Sequence, residues 1–377
     1  MNQSAGNRIP GPNEKCYFPS LTGLRAIAAF SVLFTHVERY RISMRQPAMI
    51  GAPLNSFIGG LAVTFFFVLS GFLITSLLLR EKHISGTIRI GTFLKRRALR
   101  IWPLYYTVLA GGYLLSIFAF RDTGGNPLQN GLVLNAFLFP NIAFAFGMIP
   151  EVIIQIWSVG TEEQFYLIWP FFIKHTKLFK LTRGFIILIG CWFAAGVLVH
   201  FWGDERARAL IFRTRIDCMA FGGLFALAVL YGNALSGWMG WCYRVILHRM
   251  TGLAGLVMFV LLLAASWRWN NSFYQLYALL FGVLIVRVSS KPGGWLESAP
   301  LKFLGRVSYG IYLLHHFVIF FIFREISFIS GMPGPWCELT VFVLASLLSV
   351  LIAALSYQLL ESPFLKKVRI KPQLSRG

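Results

Sequence analysis

Residues 21–38 read LTGLRAIAAFSVLFTHVE. The stretch is close to a membrane span, which takes about 20 mostly apolar residues. Yet it holds Arg25 and His36. In a helix, eleven residues advance about 16 Å and return to nearly the same azimuth. Both side chains therefore leave one face, three turns apart. An arginine at the centre of a bilayer costs at least about 2.5–3.5 kcal/mol on insertion scales. A partner, a wet cavity or a bound anion has to offset that. The plainer alternative is an Arg25 that snorkels to the interface and a His36 that caps the other end.

The rest of the chain sets the class. Of 377 residues, 56% are hydrophobic and only 13% charged, against about 25% charged in soluble domains. Apolar runs lie near 20–38, 57–79, 101–120, 160–174, 184–202, 208–231, 251–267, 272–288, 304–323 and 336–360. The expected fold is all-α: a polytopic bundle of about ten transmembrane helices over 20–365. Residues 1–19 and 366–377 form cytoplasmic tails, the second basic, and no separate soluble domain is expected. A further run, 131–149, is interrupted by Asn135, Pro140 and Asn141, and reads as a re-entrant or interfacial segment.

The net charge is +21. In a soluble protein this would suggest nucleic acid. Its placement argues instead for a membrane and against a nucleic-acid partner. With the N-terminus inside, and Lys174, Arg208, Arg287 and Arg306 at the run ends counted with their adjoining segments, the inner segments carry 24 Lys and Arg and the outer loops 8, while Arg25, Arg213 and Arg215 fall in spans. This is the positive-inside bias. The outer loop with Arg39, Arg41 and Arg45 is its weak point. Those arginines sit at the interface or meet an anionic group. The N-terminus lacks the pattern of a cleavable signal, so the first span is expected to double as an anchor. Five scattered cysteines give neither a disulfide framework nor a CxxC metal spacing, and no metal is expected.

Several polar residues sit where lipid should be. The Ser70–Gly71 step in the second span reads as a kink or a close helix contact. In FLKRRALRIWPLYY, Lys95, Arg96, Arg97 and Arg100 gather at the cytoplasmic mouth of the third span. They are an ordinary basic inner loop or a phosphate clamp, since arginine forks suit phosphate oxygens. In WSVGTEEQFYLIWP, Glu162 and Glu163 are placed at the outer start of the fourth span. They serve the helix N-terminus, with Ser158 or Thr161 as cap, or one of them orients His36 as a general base. Glu162 and Tyr166 share a face at i,i+4. Arg213, Arg215 and Asp217 open the sixth span, as an internal ion pair or a site. In GRVSYGIYLLHHFVI, Tyr309, Tyr312 and His316 share a face, as do Tyr312 and His315. Glu361, before Ser362–Pro363, pairs with Lys366 or caps the last helix.

Taken in order, LTGLRAIAAFSVLFTH, FFFVLSGFLIT, FLKRRALRIWPLYY, WSVGTEEQFYLIWP, RIDCMAFGGLFAL, LGRVSYGIYLLHH and ESPF resemble the acyltransferase-3 family of integral membrane acyltransferases. The family's usual leucine after the serine is Val159 here. The resemblance implies transfer of an acyl group, often acetyl, from cytosolic acyl-CoA to a hydroxyl of a glycan, a lipid-linked sugar or a related acceptor. It implies a bacterial cytoplasmic membrane as the location. It carries the essential role onto His36 and Arg25, a supporting role onto Glu162, and the basic motif onto Arg97 and Arg100. The esterase-like domain fused to some members is not expected.

The expected mechanism seats acyl-CoA phosphates on Arg97 and Arg100, helped by Arg96. Arg25 contacts the pantetheine arm. His36, oriented by Glu162, deprotonates the acceptor, or becomes acylated itself. Tyr166, Asp217, Tyr312 and His315 are the candidate substrate-binding residues. The rival expectation is a transporter or flippase of a sugar-linked or anionic substrate. Such proteins often show paired repeats, and none is convincing here.

Overall fold

The computed structural model describes residues 18–46, 50–119, 131–231, 238–269, 274–291, 293–325 and 334–367. The expected tails, 1–19 and 366–377, lie almost wholly outside these. Every regular element among the described residues is helical. They are α1 (Pro19–Ser43), α2 (Gly51–Ser85), α3 (Ile90–Ala119), α4 (Leu132–Ala136), α5 (Pro140–Ala145), α6 (Ile156–His175), α7 (Leu178–Trp202) and α8 (Glu205–Thr214). Then come α9 (Ile216–Tyr231), α10 (Trp238–Leu247), α11 (Arg249–Trp269), α12 (Tyr274–Ser290), α13 (Ala299–Glu325), α14 (Gly334–Ser356) and α15 (Ser362–Lys367). Short 3-10 turns cover Glu151–Ile153 and Trp295–Glu297, and a π-helical turn covers Tyr357–Glu361.

The protein is an integral membrane protein. The described residues of all ten apolar runs fall on helices, apart from Arg215. Among the described residues, seven stretches are long and apolar enough to cross a bilayer, and the pair Gly240–Leu247 and Arg249–Ala264, bent by 73°, makes an eighth if it is one broken span. Two of the ten expected spans lie outside this count. One is α12, with only 17 residues, and the other is α6, whose 20 residues include Glu162, Glu163 and Lys174. The sixth expected span is interrupted. α8 and α9 meet at Arg215, whose φ of 25° breaks the helix.

The chain divides into two compact units, Met1–Ile88 with Ile168–Arg306, and Arg89–Leu167 with Val307–Gly377. Of the three dividing points, one falls between α2 and α3 and the others inside α6 and α13.

In the first unit, α2 and α9 pack backbone against backbone. A Cβ on Gly71 would stand 2.0 Å from the Met219 carbonyl oxygen, and one on Gly222 would stand 2.0 Å from that of Val68. Small residues allow this approach, and close packing drives helix association in lipid. The Ser70–Gly71 step is therefore a helix contact. α1 joins α2 where Asn55 Nδ2 donates to the Thr35 carbonyl at 2.8 Å. Lys82 Nζ donates to the carbonyls of Ile173, Lys174 and Thr176 at 2.8, 3.0 and 2.8 Å. These are among the carbonyls a helix end leaves without partners, and a cation suits that end. By contrast, α7 buries only Leu181, Thr182 and Phe185. Its other apolar side chains suit a lipid-facing helix.

The start of α1 is fixed by an ionised carboxylate outside the spans. Ser20 Oγ donates to Glu297 Oε1 at 2.5 Å and the Gly293 N–H at 2.7 Å. Lys302 Nζ lies 3.7 Å from Oε2. The Ser20 hydroxyl first, then Gly293, hold the Glu297 carboxyl below its ordinary 4.5. A depressed folded pKa gives stability that is complete above the unfolded pKa. That stability disappears as pH falls through the folded value. The melting temperature of wild type should therefore exceed that of Glu297→Gln above about pH 5, and the gap should close on acidification. A gap that is constant down to pH 3 would contradict this.

In the second unit, the 131–149 run forms the two short helices α4 and α5, fastened to α3 and α6. Tyr105 Oη donates to the Asn135 carbonyl at 2.7 Å and Tyr106 Oη to that of Ala136 at 2.9 Å. Asn135 Nδ2 donates to Tyr113 Oη at 2.8 Å. Gln164 Nε2 donates to the Leu138 carbonyl at 3.0 Å and to Asn141 Oδ1 at 2.8 Å. α3 also packs on the π-helical turn, which buries Glu361.

Candidate active site

The candidate residues fall in both units. In the first, α1 is unbroken from Pro19 to Ser43, although it contains a run of β-branched and aromatic residues near its centre. It carries Arg25 and His36, both half-buried, at the expected spacing on one face. Sequence reasoning ended the helix too early. α1 runs on past His36, and its last turns bury Glu38 and Arg41, at 0% and 1% exposure. Arg41 is therefore a helix residue, not an outer-loop one. The available signal was Glu38, three residues ahead of Arg41 and on the same side.

Asp217 is fully buried in the first turn of α9 and faces Tyr274 and Gln275 of α12. Among the described residues, Arg215 and Asp217 do not form the expected ion pair at contact distance. Arg215 instead donates from Nη1 to the Gly60 carbonyl at 3.1 Å and to Thr64 Oγ1 at 2.5 Å. Its guanidinium lies 3.9 Å from the Phe212 ring centre and 4.7 Å from that of Tyr274. Cation–π contact of this kind is strong when desolvated. The arginine thus locks the helix break onto α2 rather than neutralising Asp217.

In the second unit, the basic start of α3 splits. Lys95 and Arg96 are exposed, while Arg97 turns inward. Its guanidinium stands 5.5 Å from the Phe93 ring centre and 5.6 Å from that of Tyr166. Tyr166 Oη in turn donates to Glu162 Oε2 at 3.2 Å, as the i,i+4 spacing predicts. Arg100 is close enough to Arg97 for the two cations to repel. A single ring therefore links Arg97 to Glu162. The sequence had put Arg97 at the cytoplasmic side of the membrane and Glu162 at the outer side. The acids are not in the first turn of α6, which starts at Ile156 after the 3-10 turn. They lie two turns in, so they do not serve the helix N-terminus.

The two acids differ. Glu162 is half-buried; Glu163 is 5% exposed. Trp102 Nε1 donates to Glu163 Oε2 at 2.9 Å, and Oε1 is buried with no hydrogen-bond partner. Sequence reasoning gave Glu163 no separate role, because adjacent helix positions are told apart only by what packs on them. Tyr312 Oη lies 2.6 Å from Ser158 Oγ and donates to the Gln155 carbonyl at 3.3 Å. His315 is fully buried and donates from Nδ1 to the Ile311 carbonyl at 3.1 Å. Its ring lies 4.8 Å from that of His316 and 6.1 Å from that of Tyr312. Tyr309 Oη donates to the Ile101 carbonyl at 2.9 Å. The unit thus brings Arg97, Tyr166 and Glu162 together, and separately Tyr312 with His315.

α1 thus carries Arg25 and His36 on one face, and α3 and α6 carry the Arg97–Tyr166–Glu162 set. The family model described as "Acyltransferase domain" matches residues 18–357, and the chain belongs to that family. It is 27% identical to the peptidoglycan O-acetyltransferase OatA of Listeria monocytogenes, over 93% of this chain and 56% of that protein. It is 25% identical to the O-acetyltransferase OatA of Staphylococcus aureus, over 93% of this chain and 58% of that protein. The chain therefore spans a little over half the length of these relatives. No solved structure matches it at a significant level.

Proposed function

We propose that this chain is an acyl-CoA-dependent O-acyltransferase, acetylating a hydroxyl of a surface glycan from within a bacterial cytoplasmic membrane. The observation that carries the reading is α1: one unbroken helix, inside the family match, with Arg25 and His36 half-buried and eleven residues apart on one face. The relatives' names support an acetyl group and a peptidoglycan-type acceptor. Counting α6, α10 with α11, and α12 as crossings gives ten spans and puts both termini on one side, which the positive-inside bias assigns to the cytoplasm.

On this reading acyl-CoA enters from the cytoplasm, with Arg96, Arg97 and Arg100 receiving its phosphates. His36 takes the proton of the acceptor hydroxyl, and Glu162 has a supporting role. The oxygen attacks the thioester carbonyl. An acyl–oxygen bond forms, the acyl–sulfur bond breaks, and the proton on His36 passes to the leaving thiolate. In the alternative order His36 attacks first and an acyl-histidine passes the group on. Arg25 stabilises negative charge along the path. Asp217, Tyr312 and His315 are proposed to line the substrate path.

The test is purified protein with acetyl-labelled acetyl-CoA and a peptidoglycan fragment. Label should reach the acceptor and CoA should be released, without any ion gradient. Label trapped on protein at short times would select the acyl-histidine order. A second reading, a transporter, is favoured by one observation, the helix break at Arg215 inside an otherwise spanning stretch. Movement of a sugar-linked substrate with no CoA release would establish it over the first.

A further inference from the structure

The buried, half-used carboxylate of Glu163 stands beside the arginines of α3. One of its oxygens is taken by Trp102, and the other, Oε1, has no partner although it is buried. An unmet buried acceptor costs about 1–3 kcal/mol, and more if charged, so its retention needs a reason. The charge of Arg97 reaches Glu163, but the two do not form an ion pair at contact distance among the described residues. The surrounding hydroxyls are committed elsewhere: Tyr309 to Ile101, Tyr105 to Asn135, and Tyr106 to Ala136. Oε1 is therefore open to a donor on a ligand.

Position says which donor. Trp102 lies five residues beyond Arg97 and two beyond Arg100 on α3, so it stands about 8 Å and 3 Å further along the axis. Trp102 and Tyr106 are 39% and 37% exposed, with ring centres 6.1 Å apart and planes at 86°. Trp102 leaves α3 about 140° round from Arg97, and α6 spans the two faces through Tyr166 and Glu163. A ligand held by its phosphates at Arg97 and running along the α3–α6 seam meets these rings next. It reaches Glu163 at the same level. Coenzyme A has that order of groups: phosphates, then a slender arm whose only strong donors are a hydroxyl and two amide N–H groups, then the thioester.

We infer that Glu163 Oε1 accepts a hydrogen bond from an amide N–H of the donor's pantetheine arm, with Trp102 holding the carboxylate in place through Oε2. This rests on the proposed acyl-CoA reading. It assigns to Glu163 a binding role distinct from the supporting role proposed for Glu162. No charge is transferred, and the carboxylate serves as a fixed acceptor.

The test compares wild type with Glu163→Leu, of similar volume, and Glu163→Gln, which keeps one acceptor oxygen. Three thioester donors are used: acetyl-CoA, S-acetyl-N-acetylcysteamine, which keeps one amide, and S-acetyl-butanethiol, which has none. In Glu163→Leu, KM for acetyl-CoA should rise about tenfold. The kcat/KM for the one-amide donor should fall similarly, and that for the amide-free donor should stay within twofold. KM for the glycan should not move. Glu163→Gln should fall between the two. Melting temperatures identify a misfolded variant, in which case Trp102→Phe, which only loosens the carboxylate, takes its place with a smaller shift in the same direction. An equal loss with all three donors, or a rise in glycan KM alone, overturns the assignment. Calorimetric titration with CoA separates the two levels. If wild type neither binds CoA nor uses acetyl-CoA, the acyl-CoA reading itself falls. If wild type does both and Glu163→Leu matches it, only the role of Glu163 falls.

Discussion

Changing His36 to alanine should lower acetyl transfer about a thousandfold while leaving the fold and CoA binding intact. The size follows from the role: a positioned general base contributes about 100- to 10,000-fold. An acylated histidine would be missed at least as much. The side chain is half-buried on the middle turns of α1. Its removal leaves the bonds that fix the helix, Asn55 to Thr35 and Ser20 to Glu297, in place. The variant should therefore melt within a few degrees of wild type. Initial rates of acceptor labelling, with CoA titrated separately, check the claim. Wild-type turnover by a well-folded His36→Ala protein would remove the proposed mechanism. Loss of CoA binding together with turnover would move His36 from chemistry to donor binding.

The largest expected effect on stability comes from Gly71→Leu. Its Cβ alone would come to 2.0 Å from the Met219 carbonyl oxygen and 2.7 Å from the Met219 Cα. Both are backbone atoms, which cannot rotate out of the way as a side chain can. α2 and α9 would have to separate along their contact, and Gly222, facing Val68 and Phe72, would lose its fit as well. Overpacking costs about 1–3 kcal/mol even where side chains can adjust, and here they cannot. Gly71→Leu should accumulate poorly and, where purified, melt well below wild type. Gly190→Ala on α7 is the control, because nothing lies within 4 Å of a Cβ there. It should express and melt like wild type. Equal melting of the two variants would show that the α2–α9 contact does not govern stability.

Most helices were legible because hydropathy in a membrane protein is an almost direct record of what lipid requires. Interruptions were less so. Arg215 breaks the helix through its backbone angle, and hydropathy is blind to φ. The bend between α10 and α11 is held by Arg287 Nη1, which donates to the carbonyls of Ile246 and His248 at 2.8 Å each, from forty residues away. No local pattern contains that. At the candidate site, periodicity paired Glu162 with Tyr166 because both lie on one helix. It could not see Trp102 on Glu163, or Arg97 over the Tyr166 ring, because those contacts join α3 to α6. The assignment of Arg41 to a loop failed for a related reason. A charged residue at the end of an apolar run looks like an exit from the membrane until a buried acid is found beside it.

The π-helical turn at Tyr357–Glu361 fixes the phase of everything after it. Such a turn holds one residue more than an α-helical path needs, so it behaves as a single-residue insertion wound into the helix. Point substitutions within it keep that count. Deleting one residue within it should let the stretch relax to ordinary winding and leave the faces of Glu361 and Ser362–Lys367 nearly unchanged. Deleting one from the α-helical part of α14 would instead rotate everything after it by about 100° and swing the buried Glu361 away from the face it now presents. The π-helical turn should therefore tolerate loss of one residue better than the α-helical turns before it.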